Sequence, residues 1–220
     1  MLINEYYQGK QIYYKMNRAR GNAILSLVGN NGQGLILDIG CATGELGEAI
    51  RDELGYRVWG IDVSDNFCQI AAKKLDKVFC LDVTSGFENW PETIKTEKFD
   101  KIILSEILEH LFFPESLLSK VRHLADDKTE VIITVPNILF WKNRLKIFFG
   151  KFDYSDQGLM DRGHIHFFSW KSLNRMLKSA GFRIVETSHF VPTRGTRWLG
   201  KILPGLFAFQ FILKVKLNEN

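Results

Sequence analysis

Long apolar runs and a cysteine framework are both missing from this sequence. No stretch of roughly eighteen apolar residues occurs, so the sequence predicts no membrane-spanning helix. The opening residues, MLINEYYQGK, lack the apolar core of a secretion signal. The three cysteines, Cys41, Cys68 and Cys80, are odd in number and have no C-x-x-C spacing. They therefore predict free thiols in a reducing, cytoplasmic compartment rather than a zinc or disulfide scaffold.

A strong charge of one sign is missing as well. The 220 residues carry a formal net charge of +4, which permits an anionic partner but argues against nucleic acid as the partner. Apolar residues make up 45% of the chain and charged residues 25%, the ordinary composition of a soluble globular protein. The length predicts a single domain over residues 1–220.

The most organised stretch of the sequence lies between Leu35 and Leu54. It begins with LILDI, a short apolar run typical of a buried parallel strand. Gly40, Gly44 and Gly47 follow, and from residue 45 onwards the apolar residues recur at helical spacing. The pattern predicts a strand, a tight glycine turn and a helix, an arrangement that binds ligands at the carboxyl ends of parallel strands.

The spacing of the glycines narrows the class of ligand. The pattern G-x-x-x-G-x-x-G differs from the G-x-G-x-x-G of dinucleotide-binding proteins, and no Lys-Ser/Thr pair follows it, which argues against a phosphate-binding loop. Asp38 lies at the end of the predicted strand. Its carboxylate would repel a pyrophosphate but suits an ammonium or sulfonium group, so the sequence favours a cationic ligand at this turn.

The same stretch resembles motif I of the class I S-adenosylmethionine (SAM)-dependent methyltransferases, a pattern close to D/E-x-G-x-G-x-G. Asp38, Gly40 and Gly44 match it, and Ala42 stands in place of the middle glycine. Residues 35–137 carry, in order, DIGCATG, GIDVS, LDV, FDKIILSEILEHL and ITVPN, and the later GHIHFFSWKSLNRMLKSAGF also resembles these enzymes. Within the family, the chain resembles the broad subfamily of ubiquinone-biosynthesis and glycan-cluster methyltransferases. The stretch PNILFWKNRLKIFFGK resembles the methionine-biosynthesis protein W group.

The resemblance implies SAM as the methyl donor, S-adenosylhomocysteine (SAH) as the product, and a cofactor site at the ends of the first three strands. Asp62 ends the second strand, predicted over 56–62, and is placed to accept both ribose hydroxyls; its alternative role, capping the next helix, is open to Ser64. By the resemblance, Asp82 accepts the adenine amine and the Val83 N–H donates to the ring, although residues 82–86 also favour a turn. The predicted cofactor-binding residues are Asp38, Gly40, Cys41, Ala42, Gly44, Asp62, Val63, Asp82, Val83 and Ser105.

Successive strand and helix patterns predict the fold class. Five βα units indicate an α/β, Rossmann-like, doubly wound and mostly parallel sheet. Two further strands, over 182–190 and 209–217, complete seven strands with an antiparallel C-terminal hairpin. Residues 137–168 are aromatic, basic and too long for a plain connection, so they predict an inserted lid after strand 5.

Residues 1–34 precede the first strand and are predicted to form an N-terminal cap segment. A helix over 15–28 would turn Arg18 and Arg20 outward, and its inward residues would be Ala19, Ala23, Ile24 and Leu27. Such a segment either lies over the cofactor and substrate, as in many methyltransferases of this class, or packs on the edge of the sheet.

Candidate catalytic groups follow the fourth strand. Glu106, Glu109 and His110 are spaced i, i+3 and i+4, which predicts one shared face of a helix. His110, with Glu106 beside it, is the candidate catalytic base for a hydroxyl acceptor. The alternative is a histidine that pairs with the carboxylate of Glu109.

A divalent metal ion is a further expectation for these residues. The small-RNA 2′-O-methyltransferases and some ubiquinone-pathway enzymes have a similar E-x-x-E-H with a later histidine. The resemblance implies that Glu106, Glu109, His110 and His164 hold Mg²⁺, Mn²⁺ or Zn²⁺. In the plainer alternative, Glu106 bonds a backbone amide of the glycine turn and no metal is bound.

The predicted function is SAM-dependent O-methylation of a small-molecule, lipid-linked or sugar hydroxyl. The alternatives are a non-catalytic regulatory or partner-binding subunit with the same fold, and an RNA methyltransferase. Residues 138–151 interleave aromatic and basic side chains, so they predict either peripheral contact with an anionic membrane or packing over the substrate pocket. The sequence does not specify the acceptor or the oligomeric state.

Overall fold

The computed structural model describes residues 18–29, 32–192, 195 and 197–218 of the chain. Within this part, a seven-stranded sheet has the order β3-β2-β1-β4-β5-β7-β6. Its strands are β1 (Leu35–Ile39), β2 (Arg57–Asp62), β3 (Lys77–Cys80), β4 (Lys101–Ser105), β5 (Glu130–Pro136), β6 (Phe182–Thr187) and β7 (Gln210–Leu217). Neighbours among β1 to β5 pair in parallel, and β7 is antiparallel to both of its neighbours. The predicted Rossmann-like fold class, with its antiparallel C-terminal hairpin, is confirmed.

Helices pack on the two faces of this sheet. They are α1 (Arg18–Val28), α2 (Glu45–Leu54), α3 (Asp65–Ala71), α4 (Glu92–Lys95), α5 (Pro114–Leu124), α6 (Trp141–Phe148), α7 (Trp170–Ser179), α8 (Arg197–Ile202) and α9 (Pro204–Phe207). Among the described residues, 3-10 turns lie at Phe87–Asn89 and Leu108–His110. No helix within the described ranges combines the length and apolarity needed to cross a bilayer.

The alternation of β1 divides the core into two layers. Leu37 and Ile39 belong to one cluster of buried side chains, which α5 and α7 complete, while Ile36 belongs to a second cluster on the side of α1, α2 and α3. All residues of β1 are buried, as expected for a central parallel strand that is covered on both faces. Because side chains alternate along a strand, Asp38 shares the face of Ile36 and is carried into the interior.

Helix α1 buries Ile24 and Leu27 and exposes Arg18, as predicted, and departs from the prediction at Ala19 and Arg20. Ile24 is buried in the second cluster, together with Ile132 of β5 and Ile212 of β7. Ala19 is exposed rather than inward, and the Arg20 side chain is only 15% exposed rather than outward. The prediction is wrong for Ala19 and Arg20, because Arg20 reaches an acidic partner, Glu106 after β4, instead of solvent. The part of the predicted helix before residue 18 lies outside the described residues.

The chain turns sharply after β4, where a helix is predicted. Glu106 has φ 55°, in the left-handed region that non-glycine residues rarely adopt, and its amide donates to the carbonyl and the hydroxyl of Thr134 on β5. The 3-10 turn Leu108–His110 follows instead of an α-helix. The prediction of one shared helix face is therefore wrong, because bonding to β5 fixes the first glutamate outside the helical region.

Candidate functional site

The glycine turn after β1 adopts the left-handed backbone that its composition allows. Gly40 and Gly44 have φ of 80° and 77°, and Ala42 between them has φ 46°. The Gly40 amide donates to the Ile61 carbonyl at 2.8 Å, which joins the turn to β2. A Cβ at Gly40 would lie 2.9 Å from Cδ1 of Ile107, so a larger residue would have to displace the end of that side chain. The turn leads into the amino end of α2, where backbone N–H groups favour a polar ligand.

Asp62 connects the glycine turn to the end of β2. Its Oδ2 accepts the Ala42 amide and its Oδ1 accepts the Ser64 amide, both at 2.9 Å. Burial raises the pKa of this carboxyl, and the backbone hydrogen bonds oppose the rise. The Ser64 hydroxyl accepts the Phe67 amide and caps α3, so the capping role considered for Asp62 falls to Ser64. Each carboxylate oxygen of Asp62 keeps a second lone pair for a ligand hydroxyl.

Asp38 brings an unsatisfied carboxylate to the end of β1. The residue is 1% exposed, and neither carboxylate oxygen has a hydrogen-bond partner among the described residues. Burial, followed by the charge of Asp62, raises the pKa of Asp38 from 3.8 to about 7. A ligand that supplies an ammonium group or a hydroxyl donor here would offset a desolvation penalty that the protein alone leaves uncompensated.

Asp82 and Val83 follow β3 and form part of a turn. Asp82 is exposed, and its Oδ1 accepts the amide and the hydroxyl of Thr84 at 2.8 and 2.7 Å. The turn that the sequence offered as an alternative is therefore present. Val83 is buried, and its carbonyl accepts Nζ of Lys120 at 2.7 Å.

Cys41 and Val63 line the same region through their backbone. The Cys41 amide donates to the Ile61 carbonyl at 2.9 Å, and burial raises the pKa of its thiol far above the ordinary value, so the thiol stays neutral. The Val63 carbonyl lies 3.9 Å from the exposed Cys80 thiol. All three cysteines of the chain are free thiols, as their spacing predicts.

A second polar cluster forms where the 3-10 turn after β4 meets the segment before α7. One ligand-type atom from each of Glu109, His110 and His164 lies within 4.8 Å of the others. The rings of His110 and His164 meet edge to face, with centroids 4.9 Å apart. The amides of Ile165 and His166 donate to the Glu109 carbonyl at 2.8 and 3.0 Å, which holds the two segments together.

Burial controls the protonation of this cluster. Glu109 is fully buried, neither of its carboxylate oxygens has a hydrogen-bond partner among the described residues, and burial together with the charge of Glu106 raises its pKa. Burial lowers the pKa of His110 and favours the neutral ring. Its Nδ1 lies 2.9 Å from the Gly163 carbonyl, which can only accept, so Nδ1 carries the proton of the neutral ring and Nε2 does not.

Glu106 stands beside this cluster but is engaged elsewhere. Its Oε1 accepts Nε2 of Gln210 and, at 3.3 Å, the hydroxyl of Thr134, and its Oε2 lies 3.5 Å from Nη1 of Arg20. The hydroxyl of Ser105, a predicted cofactor residue, lies 3.2 Å from the same Thr134 hydroxyl. Of the four predicted metal ligands, the structure brings three together, and Glu106 is not one of them.

The partners of Glu106 are functional candidates that sequence reasoning missed. Gln210 lies on β7, 104 positions from Glu106, so no local pattern could connect them. The available signal was indirect: Gln210 is a buried polar residue inside the apolar run FAFQFIL. The helical pattern predicts Arg20 on the outward face, and Thr134 belongs to an apolar strand that shows no sign of this contact.

Comparison with protein families gives one match that covers most of the chain. A family model described as a methyltransferase domain matches residues 12–187. No curated protein matches the chain. Many solved structures do match. One is magnesium protoporphyrin IX methyltransferase (ChlM) from Synechocystis PCC 6803 with bound SAH, at a TM-score of 0.64 and 18% identity, covering 97% of this chain and 94% of that one.

Two further structures have the same fold. A SAM-dependent methyltransferase from Mesorhizobium loti matches at a TM-score of 0.65 and 16% identity, covering 91% of this chain and 98% of that one. The 1,6-didemethyltoxoflavin-N1-methyltransferase of Burkholderia thailandensis, with its substrate and SAH bound, matches at 0.61 and 16%, covering 98% and 84%. At these identities the likeness concerns the fold.

Proposed function

Because this chain belongs to the methyltransferase domain family, we propose that it transfers the methyl group of SAM to a hydroxyl of a small-molecule, lipid-linked or sugar acceptor. Similar structures hold SAM or SAH, which supports SAM as the methyl donor and SAH as the product. We infer an oxygen acceptor from the cluster of Glu109, His110 and His164. A hydroxyl must lose a proton during the transfer, and such a cluster offers a base or a site for a metal ion.

The observation that carries the cofactor assignment is the pair of carboxylates at the ends of β1 and β2, of which Asp38 is buried and Asp62 is half-buried. Asp38 lacks a donor, and Asp62 has lone pairs left after it has fixed the glycine turn. SAM carries an ammonium group and two ribose hydroxyls, which are the donors that such carboxylates need. We assign the ribose hydroxyls to Asp62, the adenine amine to Asp82, and the methionine part to Gly40–Gly44.

The cluster of Glu109, His110 and His164 is proposed as the acceptor side of the site. One carboxylate and two imidazoles whose ligand-type atoms lie within 4.8 Å of one another suit Mn²⁺, Zn²⁺ or Mg²⁺. A bound divalent ion would lower the pKa of the acceptor hydroxyl and orient it. We propose these three residues as the ligands and leave out Glu106, whose oxygens are engaged by other side chains.

The chain's own groups can also remove the proton without a metal ion. In that case the acceptor oxygen attacks the methyl carbon, the carbon–sulfur bond breaks to release SAH, and the hydroxyl proton passes to Nε2 of His110. Much of the rate would come from holding the acceptor oxygen in line with the methyl group. Glu106 then acts as a positioning residue, since it ties Arg20 and β7 to the turn that carries His110.

Titration with SAM tests the cofactor assignment. We expect Asp62→Ala to weaken SAM binding by at least about tenfold, because two hydroxyls lose a charged acceptor at about 1.5–3 kcal/mol per bond. Asp62 also fixes the glycine turn, so Asp62→Asn, which keeps one acceptor oxygen, serves as the matched control and should lose less. An unchanged dissociation constant in Asp62→Ala would contradict the assignment.

A tritiated-methyl assay with fractions of cell extract tests the reaction. Label transferred to a small-molecule or lipid fraction supports the proposal, and label in RNA alone supports an RNA methyltransferase instead. SAM binding without any transfer would favour the non-catalytic subunit. Activity that survives a chelator in a metal-free sample would remove the metal ion and leave His110 as the base.

A further inference from the structure

Helix α6 turns its apolar residues outward and its polar residue inward. Asn143 is the buried residue of the helix, 6% exposed, and its side-chain amide donates to the Ile138 carbonyl at 2.7 Å. At about 100° per residue, Trp141, Leu145 and Phe148 project from the opposite side. Phe148 is 81% exposed. This is the reverse of a helix packed on a protein core, where the apolar face is covered.

Cations flank the apolar face of α6. Lys142 and Arg144, next to Trp141 and Leu145 along the chain, fall on opposite sides of the face at the helical angle, and Lys146 lies near Lys142. The ammonium group of Lys142 lies 5.5 Å from the centre of the Trp141 ring. No acidic residue occurs from position 138 to position 152. The helix therefore combines apolar side chains with positive charge alone.

A second segment, residues 198–203, has the same character. Trp198 and Ile202 of α8 are 60% and 66% exposed, and Leu203 after the helix is 52% exposed. Lys201 between them is exposed as well. No acidic residue occurs from position 188 to position 218. The segment thus repeats the pairing of exposed apolar side chains with positive charge.

The two segments are neighbours in the fold. Arg144 of α6 donates to the Gly205 carbonyl of α9 at 3.2 Å. The side-chain amide of Asn137, before α6, donates to the Ala208 carbonyl at 2.8 Å. Since α9 follows α8 directly, these bonds hold α6 and residues 198–203 on adjoining parts of the surface.

We propose that α6 and residues 198–203 form one docking surface for an anionic lipid bilayer. Apolar side chains at such a surface enter the acyl boundary, while lysine and arginine contact lipid phosphates. A bilayer is favoured over RNA because four of the six large exposed apolar side chains in α6 and residues 198–203 are aliphatic, and aliphatic side chains offer no ring on which bases stack. The proposal extends the predicted contact of residues 138–151 by a second segment, and it does not depend on the reaction proposed above.

Co-sedimentation of the full chain with vesicles tests the docking surface. We expect binding to vesicles of phosphatidylglycerol and phosphatidylcholine at low salt, and weak binding to phosphatidylcholine alone. Phe148→Ser should reduce binding by about tenfold, the value expected from the loss of one buried aromatic side chain. Ile202→Ser should also reduce it, because the second segment belongs to the same surface.

Charge variants separate this surface from general electrostatic attraction. Lys146→Glu and Lys201→Glu should each weaken binding about fivefold or more, since one cation near an anionic membrane contributes on this order and the variants reverse it. Lys128→Glu is the matched control, because Lys128 is exposed in the loop before β5, at the opposite end of the sheet from α6, and should bind as the parent does. Thermal unfolding and SAM titration of each variant show that the fold is retained.

Three outcomes would overturn the proposal. The first is no sedimentation of the parent protein with anionic vesicles at low salt. The second is equal loss of binding in Lys128→Glu and Lys146→Glu. The third is a parent protein that does not bind vesicles but instead binds an RNA oligonucleotide or forms oligomers, provided that Phe148→Ser abolishes this binding or self-association. Each result is independent of methyl transfer, so failure here leaves the proposed reaction untouched.

Discussion

Replacing Asp38 by asparagine should stabilise the cofactor-free protein while it weakens SAM binding. The carboxyl of Asp38 is buried without a hydrogen-bond partner among the described residues, next to the charge of Asp62. Ionising such a group costs free energy in the folded state but not in the unfolded chain. Asp38→Asn removes that cost, and it also removes the negative charge proposed to attract the cofactor.

The pKa of Asp38 sets the magnitude and the pH range. A rise from 3.8 to about 7 corresponds to a penalty of about 4 kcal/mol on the ionised folded state, at about 1.4 kcal/mol per pKa unit. The expected gain is smaller, about 1–3 kcal/mol, because the asparagine amide also lacks partners. Below about pH 4 the carboxyl is protonated in both states and the penalty is absent; it grows as the pH rises and is complete above about pH 7.

Urea unfolding without SAM, at several pH values between 4.5 and 8.5, measures this effect. The stability difference between Asp38→Asn and the parent should increase with pH and then level off. Asp126→Asn is the control, and its effect on stability should have the opposite sign. Slight burial raises the pKa of Asp126, but the hydrogen bonds from Lys128 and Thr129 are stronger and lower its pKa overall. If the stability difference between Asp38→Asn and the parent is no larger at pH 8 than at pH 4.5, the burial argument is refuted.

Two further predictions concern the turn after β4. His110→Ala should abolish methyl transfer and leave the SAM dissociation constant within about twofold of the parent, because the ring belongs to the cluster that we propose as the acceptor side of the site. A parallel loss of SAM affinity would assign His110 to cofactor binding instead. Arg20→Ala and Glu106→Gln should be non-additive in unfolding free energy by about 0.5–3 kcal/mol, since their charged atoms lie 3.5 Å apart in a partly buried place; additive losses in a double-mutant cycle would show that the pair is not coupled.

The sheet could be predicted from the sequence because its strands end where the local chemistry changes. β1 is an apolar run that stops at Gly40, and β2 stops at Asp62, so both bounds are visible in the sequence. Helix α5 begins at Pro114, as proline at a first helical position predicts, and α7 begins after the capping Ser169. These signals depend only on residues adjacent in the sequence, so the bounds of strands and helices can be predicted from the sequence alone.

The surroundings of Glu106 could not be predicted in the same way. Its backbone leaves the helical region because its amide bonds to Thr134 on a neighbouring strand, and its carboxylate contacts Arg20 and Gln210, which come from the two ends of the chain. Helical spacing describes only contacts along one helix. The sequence therefore identifies candidate residues at the carboxyl edge of the sheet, but it does not predict the contacts that these residues make with distant parts of the chain.

Two buried carboxylates without hydrogen-bond donors in the described part of the chain mark the carboxyl edge of the sheet as a place where ligands can complete the structure. Asp38 at the end of β1 and Glu109 after β4 are both fully buried, and neither has a hydrogen-bond partner among the described residues. Each destabilises the protein on its own, and each needs a donor or a cation that the described side chains do not supply. One lies beside the glycine turn and the other beside two histidines, so the partners that we propose for them differ: a cationic cofactor at the first, and a metal ion or a proton at the second. A site whose stability is completed by its ligands should become more stable as each ligand binds, in proportion to how tightly it is held.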